Sequence, residues 1–278
     1  MQLVAGSHVI GFPRQPLIMG IINLVHDSFS GDGITDLDLA MDRARQMISD
    51  GAGIIDVGGE SAGTKRGAMS AQEEIDRLCP FIEKFRAMEN APLLSINTWR
   101  PHVARTALAT GGDILNDISA LPTDENARAC AEHGAALLIM HSVGEPKVKH
   151  THVHYDDVME TLENFFEEKI AMATSAGVPR DAIILDPGID FAKQRDDNLT
   201  IYRDLARLQK FHRPILLPVS RKTVIGDVLG IPDASQRDAG TVACIVSGML
   251  RGASIFRVHN VRAAAQSVKT IYATEQAV

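Results

Sequence analysis

Polar and charged residues stand at the ends of a series of short apolar runs along this chain. They are Asn23, Asp56, Glu60, Asn97, Asn116, Asp117, His141, Asp186, Ser220, Lys222, Arg257 and His259. Burying a polar group is costly unless it is hydrogen-bonded, so a protein that needed only stability would not place so many at equivalent positions. We therefore predict that these residues form one binding or catalytic site.

Positive charge concentrates at the end of the last two apolar runs. Arg257 and His259 are two residues apart, so in a strand they share a face, and Arg221 and Lys222 end the preceding run. A guanidinium binds phosphate oxygens through two parallel hydrogen bonds. The cluster predicts a phosphate site. The alternatives are a structural salt bridge for Arg257 and a structural role for His259.

A carboxylate, Asp186, ends the nearly apolar run IILDPG. At that position it suits a ligand with two adjacent N–H donors, as in an aminopyrimidinone ring, because an ionised carboxylate accepts hydrogen bonds through both oxygens. Asn97 and Asn116 could read the remaining donors and acceptors of such a ring. The alternative is that both amides cap turns or strand ends.

The apolar runs are of strand length and rich in Ile, Leu and Val, which is typical of strands buried on both faces. They are LIMGIIN (17–23), GIIDVGG (53–59), LLSINT (93–98), DILNDIS (113–119), ALLIMHS (136–142), AIILDPG (182–188), ILLPVSRK (215–222) and SIFRVHN (254–260). Helical patterns separate them, over residues 37–50, 70–88, 101–110, 124–133, 155–176, 197–210, 238–251 and 261–274.

Eight strand–helix units, at roughly 35 residues per unit, favour an α/β fold of the (β/α)8 barrel type. No linker divides the chain, so we expect residues 1–278 to form a single domain. An open, doubly wound parallel sheet is the alternative, although no GxGxxG motif follows the first run. In such barrels the active site lies at the carboxyl ends of the strands, where the polar residues stand.

The composition excludes several classes of protein. The 278 residues are 45% hydrophobic and 23% charged, which argues against a largely disordered chain. A net charge of −7 argues against a broad nucleic-acid-binding surface. We see no apolar run long enough to cross a bilayer and no basic leader with a cleavage site. We therefore expect a cytoplasmic protein with neither nucleic acid nor membrane as a partner.

Two groups of side chains are of types that can bind metals or undergo redox chemistry, but we assign neither group to the site. Cys79, Cys130 and Cys244 lie far apart and lack metal-ligand spacing, which predicts free thiols in a reducing compartment. The segment HTHVHYDD (150–157) carries three alternating histidines. Because it lies before a predicted helix, we interpret it as a solvated loop; a metal site is the alternative.

Eight segments, in order along nearly the whole chain, resemble the signatures of the dihydropteroate synthase family. The first loop of that family is usually written MGILNVTPDSFSDGG. The segments are MGIINLVHDSFSGDG (19–33), DVGGES (56–61), NDIS (116–119), MHS (140–142), DPGIDFAK (186–193), SRKTVIG (220–226), RDAGT (237–241) and RVHNV (257–261). One such segment would be weak evidence, whereas eight in order are specific.

The resemblance implies a (β/α)8 barrel, usually a homodimer, that acts in folate biosynthesis. It implies a transferase that joins 6-hydroxymethyl-7,8-dihydropterin diphosphate to 4-aminobenzoate and releases diphosphate. By the same resemblance, the pterin would be held by Asn97, Asn116, Asp186 and Lys222, and Met140 would pack on its ring. Asn23 would coordinate Mg²⁺, and Arg257 with His259 would bind the diphosphate. The aminobenzoate pocket would be lined by Phe29, Phe191 and Thr223.

The resemblance also implies the course of the reaction. The exocyclic CH2 of the pterin loses diphosphate and becomes a ring-stabilised cation, while Mg²⁺ and Arg257 stabilise the charge on the leaving group. Asp27, beside Ser28 on the first loop, would help to stabilise the cation, and closure of that loop around Phe29 would exclude water. Asp27, Lys222 and Arg257 are thus the expected catalytic residues. No covalent nucleophile is required.

The chain departs from the family pattern most at the second loop. It reads GGESAGTKRGA (58–68) where the family usually reads GGESTRPGA, so Ala62, Gly63 and Thr64 stand where threonine, arginine and proline are expected. The expected hydroxyl and the arginine that helps to bind anion are therefore missing from those positions. Lys65 or Arg66 could supply a displaced cation; the alternative is that both are solvated.

Four single residues also depart from the pattern. Asn97 replaces an aspartate, His26 a proline, Asn260 an aspartate and Asp190 a glycine. Two hypotheses follow. In one, the chain is an active synthase with a reshaped aminobenzoate pocket and altered sulfonamide sensitivity. In the other, it is a pterin-binding paralogue without synthase activity.

Two alternative functions outside the synthases remain. Pterin-binding domains of folate–corrinoid methyltransferases share the barrel, but they lack the SRK and DSFS segments and need no diphosphate site. The segment SRK (220–222) together with Arg257 and His259 therefore argues against them. A purely structural or partner-binding barrel is the other alternative, and it would bind no pterin diphosphate analogue specifically.

Overall fold

Eight parallel strands stand in a ring at the centre of the protein. The structure is a computed structural model that describes residues 1–12, 15–25, 33–60, 69–148 and 152–276. The ring strands are β3 (Leu17–Asn23), β4 (Ile54–Gly58), β5 (Leu93–Asn97), β6 (Ile114–Asp117), β7 (Ala136–Met140), β8 (Ile183–Asp186), β9 (Leu216–Pro218) and β10 (Ile255–Val258).

The ladders run β8-β7-β6-β5-β4-β3-β10-β9. A single parallel bridge between Leu185 and Ile215 joins the two ends of this order. The ring is therefore nearly closed, which confirms the predicted barrel; the open doubly wound sheet is wrong.

Helices surround the ring, one after each ring strand along the chain except β9, which two helices follow. Within the described ranges they are α1 (Leu37–Ser49), α2 (Ala71–Arg86), α3 (Pro101–Thr110), α4 (Glu125–His133), α5 (Val158–Ser175), α6 (Arg195–Asp204), α7 (Thr223–Leu229), α8 (Asp238–Met249) and α9 (Val261–Gln276). Short 3-10 helices cover Arg180–Ala182, Leu205–Phe211 and Ala234–Gln236. None of the helices in this part of the chain is both long and apolar enough to cross a membrane.

Local sequence explains where several helices begin and end. Ser70 and Glu73 form the capping box at the start of α2. Proline occupies the first position of α3, where its missing N–H costs nothing. Gly111 ends that helix with a φ of 134°, a conformation that side chains disfavour. The predicted bounds of β3 and α3 match the structure residue for residue.

A hairpin precedes the barrel and closes its amino-terminal end. Strands β1 (Gln2–Ala5) and β2 (His8–Gly11) pair antiparallel, and Leu3 and Ala5 are fully buried. The amide N–H of Gly6 donates to the carbonyl of Gly134, which precedes β7. With that end covered, the carboxyl ends of the strands, where the predicted polar residues stand, form the opposite end of the barrel.

Candidate active site

Strand register brings the predicted polar residues to one end of the barrel. Asn23 pairs in register with Gly58, Gly58 with Asn97, and Asn97 with Asn116. On the far side of the ring, Met140 pairs with Asp186. Because parallel strands end at the same edge, residues from six strands face the same mouth.

Asp56, on β4, is the hub of a buried hydrogen-bond cluster in this mouth. Its Oδ1 accepts from Ser95 Oγ at 2.6 Å and from Asn116 Nδ2 at 3.1 Å. Its Oδ2 accepts from Arg257 Nε at 2.8 Å and lies 3.5 Å from Asn97 Nδ2. The side chain of Asp56 is fully buried. Three polar side chains and a paired guanidinium therefore fix this carboxylate as an internal strut.

Asp186, at the end of β8, has a different environment. Within the described residues its side chain accepts one hydrogen bond, from the Gly188 N–H to Oδ1 at 2.7 Å. Burial raises the pKa of Asp186 to about 6, against the opposing hydrogen bond from Gly188 and the positive charges of Lys222, Lys193 and Arg257. The carboxylate thus keeps capacity to accept hydrogen bonds from a ligand.

Lys193 and His141 lie beside Asp186. Lys193 Nζ lies 2.8 Å from His141 Nδ1 and donates to the carbonyl of Phe191 at 3.1 Å. Burial lowers the pKa of Lys193 to about 7, while the charge of Asp186 opposes that shift. Burial and the charge of Lys193 lower the pKa of His141 to about 2, so the imidazole is neutral and can accept from the ammonium.

Lys222 precedes α7 and points back toward the loop after β8. Its Nζ donates to the carbonyl of Ile189 at 2.7 Å and lies 4.8 Å from the centroid of the Phe191 ring. The latter contact is a cation–π geometry. Burial lowers the pKa of Lys222, and the charges of Asp190 and Asp186 oppose this. Thr223, the next residue, is exposed at the start of the helix.

The basic side chains at the ends of β9 and β10 already contact other groups of the protein. Arg257 makes the ion pair that sequence analysis held as its alternative, with Nη2 2.7 Å from Asp56 Oδ2. His259 lies just beyond β10, and its Nδ1 is 2.7 Å from Ser220 Oγ. The predicted contribution of Arg221 to the phosphate site is weakened, because its guanidinium pairs with Asp238 at 2.8 Å.

An ion network lies at the base of the second loop. Glu60 pairs with both Arg100 and Lys147, and Arg100 also pairs with Glu74. Burial raises the pKa of Glu74, whereas the two cations lower that of Glu60 against its burial. Because Lys147 follows β7, this network joins the β4 and β7 sides of the mouth.

Some predicted residues lie outside the described ranges. They are Asp27, Ser28 and Phe29 on the first loop, the altered second-loop stretch from Ala62 to Arg66, and His150. Of the histidine-rich segment, His152 and His154 are exposed, and His154 Nε2 lies 3.3 Å from Asp156 Oδ1. No group of metal-binding side chains occurs in the part of the chain that the structure describes.

Sequence analysis gave no individual role to four residues that build the mouth: Asp56, Ser95, His141 and Lys193. Asp56 and His141 did carry a signal, because each stands at a strand end, and Lys193 belongs to the DPGIDFAK segment. Ser95 lies inside a strand and carried none. Contact with Asp56 is what reveals it.

Comparison with known proteins decides the family. The family model described as "Pterin binding enzyme" matches residues 19–259. The chain belongs to this family of pterin-binding enzymes. The resemblance to dihydropteroate synthases is thereby confirmed, as the relatives carry that name. The dihydropteroate synthase of Escherichia coli K12 is 37% identical over 261 residues, which cover 93% of this chain and 92% of that protein.

Other relatives are longer. The folate synthesis bifunctional protein of Arabidopsis thaliana is 39% identical over 272 residues, but this chain spans only 56% of its length. Among solved structures, Yersinia pestis dihydropteroate synthase in complex with a sulfonamide drug has a TM-score of 0.92 and 35% identity, with both chains covered completely. The pterin-binding enzyme therefore spans about half of the plant bifunctional relatives and nearly all of the bacterial ones.

Proposed function

We propose that this chain is a dihydropteroate synthase. It would join 6-hydroxymethyl-7,8-dihydropterin diphosphate to 4-aminobenzoate, giving 7,8-dihydropteroate and diphosphate in folate biosynthesis. The observation that carries this proposal is the environment of Asp186: a buried carboxylate with one internal hydrogen-bond donor in the described residues, on which the charges of Lys222 and Arg257 act. A ligand with paired N–H donors at one end and phosphates at the other fits such a site.

The pterin ring would sit over Met140 and donate its paired N–H groups to Asp186. Asn116 supports this placement, because its Nδ2 is held by Asp56 while its Oδ1 is buried without a partner among the described residues. A buried acceptor without a partner costs about 1–3 kcal/mol. A ring N–H donating to it would remove that cost. Asn97, at the same level of the mouth, offers a second amide.

The diphosphate would lie toward Arg257 and His259. Asp56 holds the Arg257 guanidinium in place, so its orientation is set before substrate arrives. Negative charge grows on the diphosphate as the exocyclic C–O bond breaks, and a fixed cation stabilises that charge without reorganising. Lys222, beside Asp186, would hold the pterin and adds positive charge to the same mouth.

The residues present fit a magnesium ion that arrives with the substrate. Mg²⁺ takes oxygen ligands, keeps several waters and binds with the help of substrate phosphates rather than in an all-protein cage. Asn23 offers one amide oxygen at the end of β3, and no cluster of acidic side chains is needed. When bound, the ion would help to neutralise the leaving diphosphate.

The amine of 4-aminobenzoate would then attack the exocyclic carbon. Phe191 and Thr223 would form one wall of its pocket, next to Lys222. Asp27 and Phe29 belong to the proposal as first-loop residues that stabilise the cation and exclude water. The aniline nitrogen is itself the nucleophile, so no residue needs to form a covalent intermediate.

We also propose that the enzyme is a homodimer. Val228 and Leu229 at the end of α7, and Leu250 directly after α8, expose large apolar side chains, and α7 packs on α8. Of the residues in α8, Asp238 alone is charged. A second copy of this chain would cover such a surface. Sedimentation velocity with a Leu229→Glu variant tests this, and the expected result is a shift from dimer to monomer.

A diphosphate-release assay tests the activity. Purified protein, Mg²⁺ and both substrates should release diphosphate, and omission of 4-aminobenzoate should slow the release. The Escherichia coli enzyme assayed alongside controls for the reagents. Titration with a sulfonamide then measures whether the aminobenzoate pocket is altered. Tight binding of a pterin diphosphate analogue without product would favour the paralogue that lacks synthase activity.

A further inference from the structure

Asp190 occupies an unusual backbone position in the loop after β8. Its φ is +67°, in the left-handed region that favours glycine, and glycine is the residue that the family usually has there. Aspartate tolerates this region better than most residues but still strains the backbone. A strained residue that persists in a binding loop points to a compensating contact of its side chain.

That contact is with the start of α7. The Asp190 carboxylate accepts from the backbone N–H of Thr223 and, at 3.3 Å, from the N–H of Val224. Lys222 is the N-cap residue of α7 and makes no side-chain capping hydrogen bond. The helix is thus capped from a different loop. The N–H of Asp190 in turn donates to Asn198 Oδ1 at 2.9 Å, which anchors the loop to α6.

The two segments are joined in the opposite direction as well. Lys222 reaches back to the carbonyl of Ile189 at 2.7 Å and to the ring of Phe191. The side chains of Asp190 and Lys222 therefore hold residues 189–191 and 222–224 together. Asp190 stands between the two residues that Lys222 contacts. Its charge also raises the pKa of Lys222 against the effect of burial, which favours the ammonium form.

We propose that Asp190 is a positioning residue for 4-aminobenzoate: its carboxylate holds the loop that carries Phe191 against the start of α7 and so fixes Phe191 and Thr223 as one wall beside Lys222. This inference rests on the proposed synthase function. Asp186 has its own hydrogen bond to Gly188. The pterin site should therefore depend on Asp190 less than the aminobenzoate pocket does.

Three substitutions separate the carboxylate from the backbone. Asp190→Ala removes the cap and keeps the strain, Asp190→Gly removes both, and Asp190→Asn keeps one acceptor. We expect Ala and Gly to raise the KM for 4-aminobenzoate by about fivefold to tenfold, as loss of a helix cap predicts, and Asn by about twofold. The KM for the pterin diphosphate should change by less than about twofold. Gly should recover Tm relative to Ala without recovering the KM.

Hydrogen exchange gives a readout that does not require activity. Amides in residues 222–226 should exchange faster in the Ala and Gly variants than in the wild type. Asp233→Asn is the matched control, because Asp233 also caps a short helix, through the Ser235 N–H at 2.9 Å, but lies outside the mouth. It should leave both substrates' KM values unchanged.

The outcomes distinguish the two proposals. A wild-type enzyme that releases no diphosphate contradicts the synthase assignment, whereas faster exchange at residues 222–226 would still support the contact made by Asp190. The positioning role is overturned if Asp190→Gly restores the KM for 4-aminobenzoate together with Tm. Unchanged exchange in Asp190→Ala, or equal increases in the KM values for both substrates, would overturn it too.

Discussion

Two buried aspartates in the same barrel mouth have opposite environments. Asp56 is 0% exposed and Asp186 3% exposed. Asp56 is surrounded by Ser95, Asn116, Asn97 and the guanidinium of Arg257. Asp186 accepts one backbone N–H in the described residues, and burial raises its pKa to about 6. A carboxylate saturated by its own protein stabilises the site, whereas one left short of donors is available to a ligand.

The comparison predicts the largest effect for Asp186→Asn on activity. An amide keeps one acceptor but loses the charge and adds an N–H donor that opposes the pterin's own donors. We expect kcat/KM for the pterin diphosphate to fall by about 1,000-fold, because charged hydrogen bonds contribute about 1.5–3 kcal/mol each. The free energy of unfolding should not fall. Steady-state assays and urea unfolding of the same preparation measure the two quantities, and a large loss of stability would show that Asp186 is also structural.

In contrast to Asp186→Asn, Asp56→Asn should mainly lower the stability of the protein. It leaves the Arg257 guanidinium, only 21% exposed, without its counter-charge. Removing one partner of a buried ion pair typically costs about 3–5 kcal/mol, so we expect the free energy of unfolding to fall by about 4 kcal/mol. Asp42→Asn is the matched control, since Asp42 makes an exposed pair with Arg45. Its effect should stay below about 1 kcal/mol. Equal effects of the two variants in urea unfolding would refute the role of Asp56 as a strut.

The pH dependence of stability gives a further test of Asp186. Its pKa is about 6 in the folded protein against an ordinary value of 3.8, so between these pH values the folded state binds more protons than the unfolded state. The free energy of unfolding should therefore decrease as pH rises through this window, by about 3 kcal/mol for this group. Urea unfolding of the wild type and Asp186→Asn from pH 4 to 7 measures the difference. Parallel curves would contradict the perturbed pKa.

The barrel was predictable from sequence because its elements carry strong local signals. The run LIMGIIN gave β3, and Pro101 with Gly111 bounded α3, both to the residue. The structure also contains the β1–β2 hairpin and α7, which were not predicted. The hairpin strands have four residues each and lie outside any run as long and as rich in Ile, Leu and Val as those of the ring, and α7 has seven residues, too few for a helical period to emerge.

The candidate site was predictable as a set of positions but not as a set of partners. Parallel strands bring their ends together, so Asn97, Asn116 and Asp186 could be placed at one mouth from their order alone. The ion pair between Arg257 and Asp56 could not, because these residues are 201 positions apart and side-chain geometry decides which carboxylate the guanidinium meets. For the same reason, the contact of Asp190 with α7 appears only in three dimensions.

The smallest expected effects distinguish the two amides that contact Asp56. Asn116 Nδ2 lies 3.1 Å from Asp56 and Asn97 Nδ2 lies 3.5 Å away, at the limit of a hydrogen bond. We expect Asn116→Ala to lower the free energy of unfolding by about 1 kcal/mol and Asn97→Ala by less than about 0.5 kcal/mol. Both should weaken pterin binding by about tenfold if each amide makes one hydrogen bond to the ring. Isothermal titration with a pterin diphosphate analogue measures this. Loss of stability without loss of affinity in both variants would mean that the amides serve Asp56 alone, and recognition of the ring would then fall to Asp186.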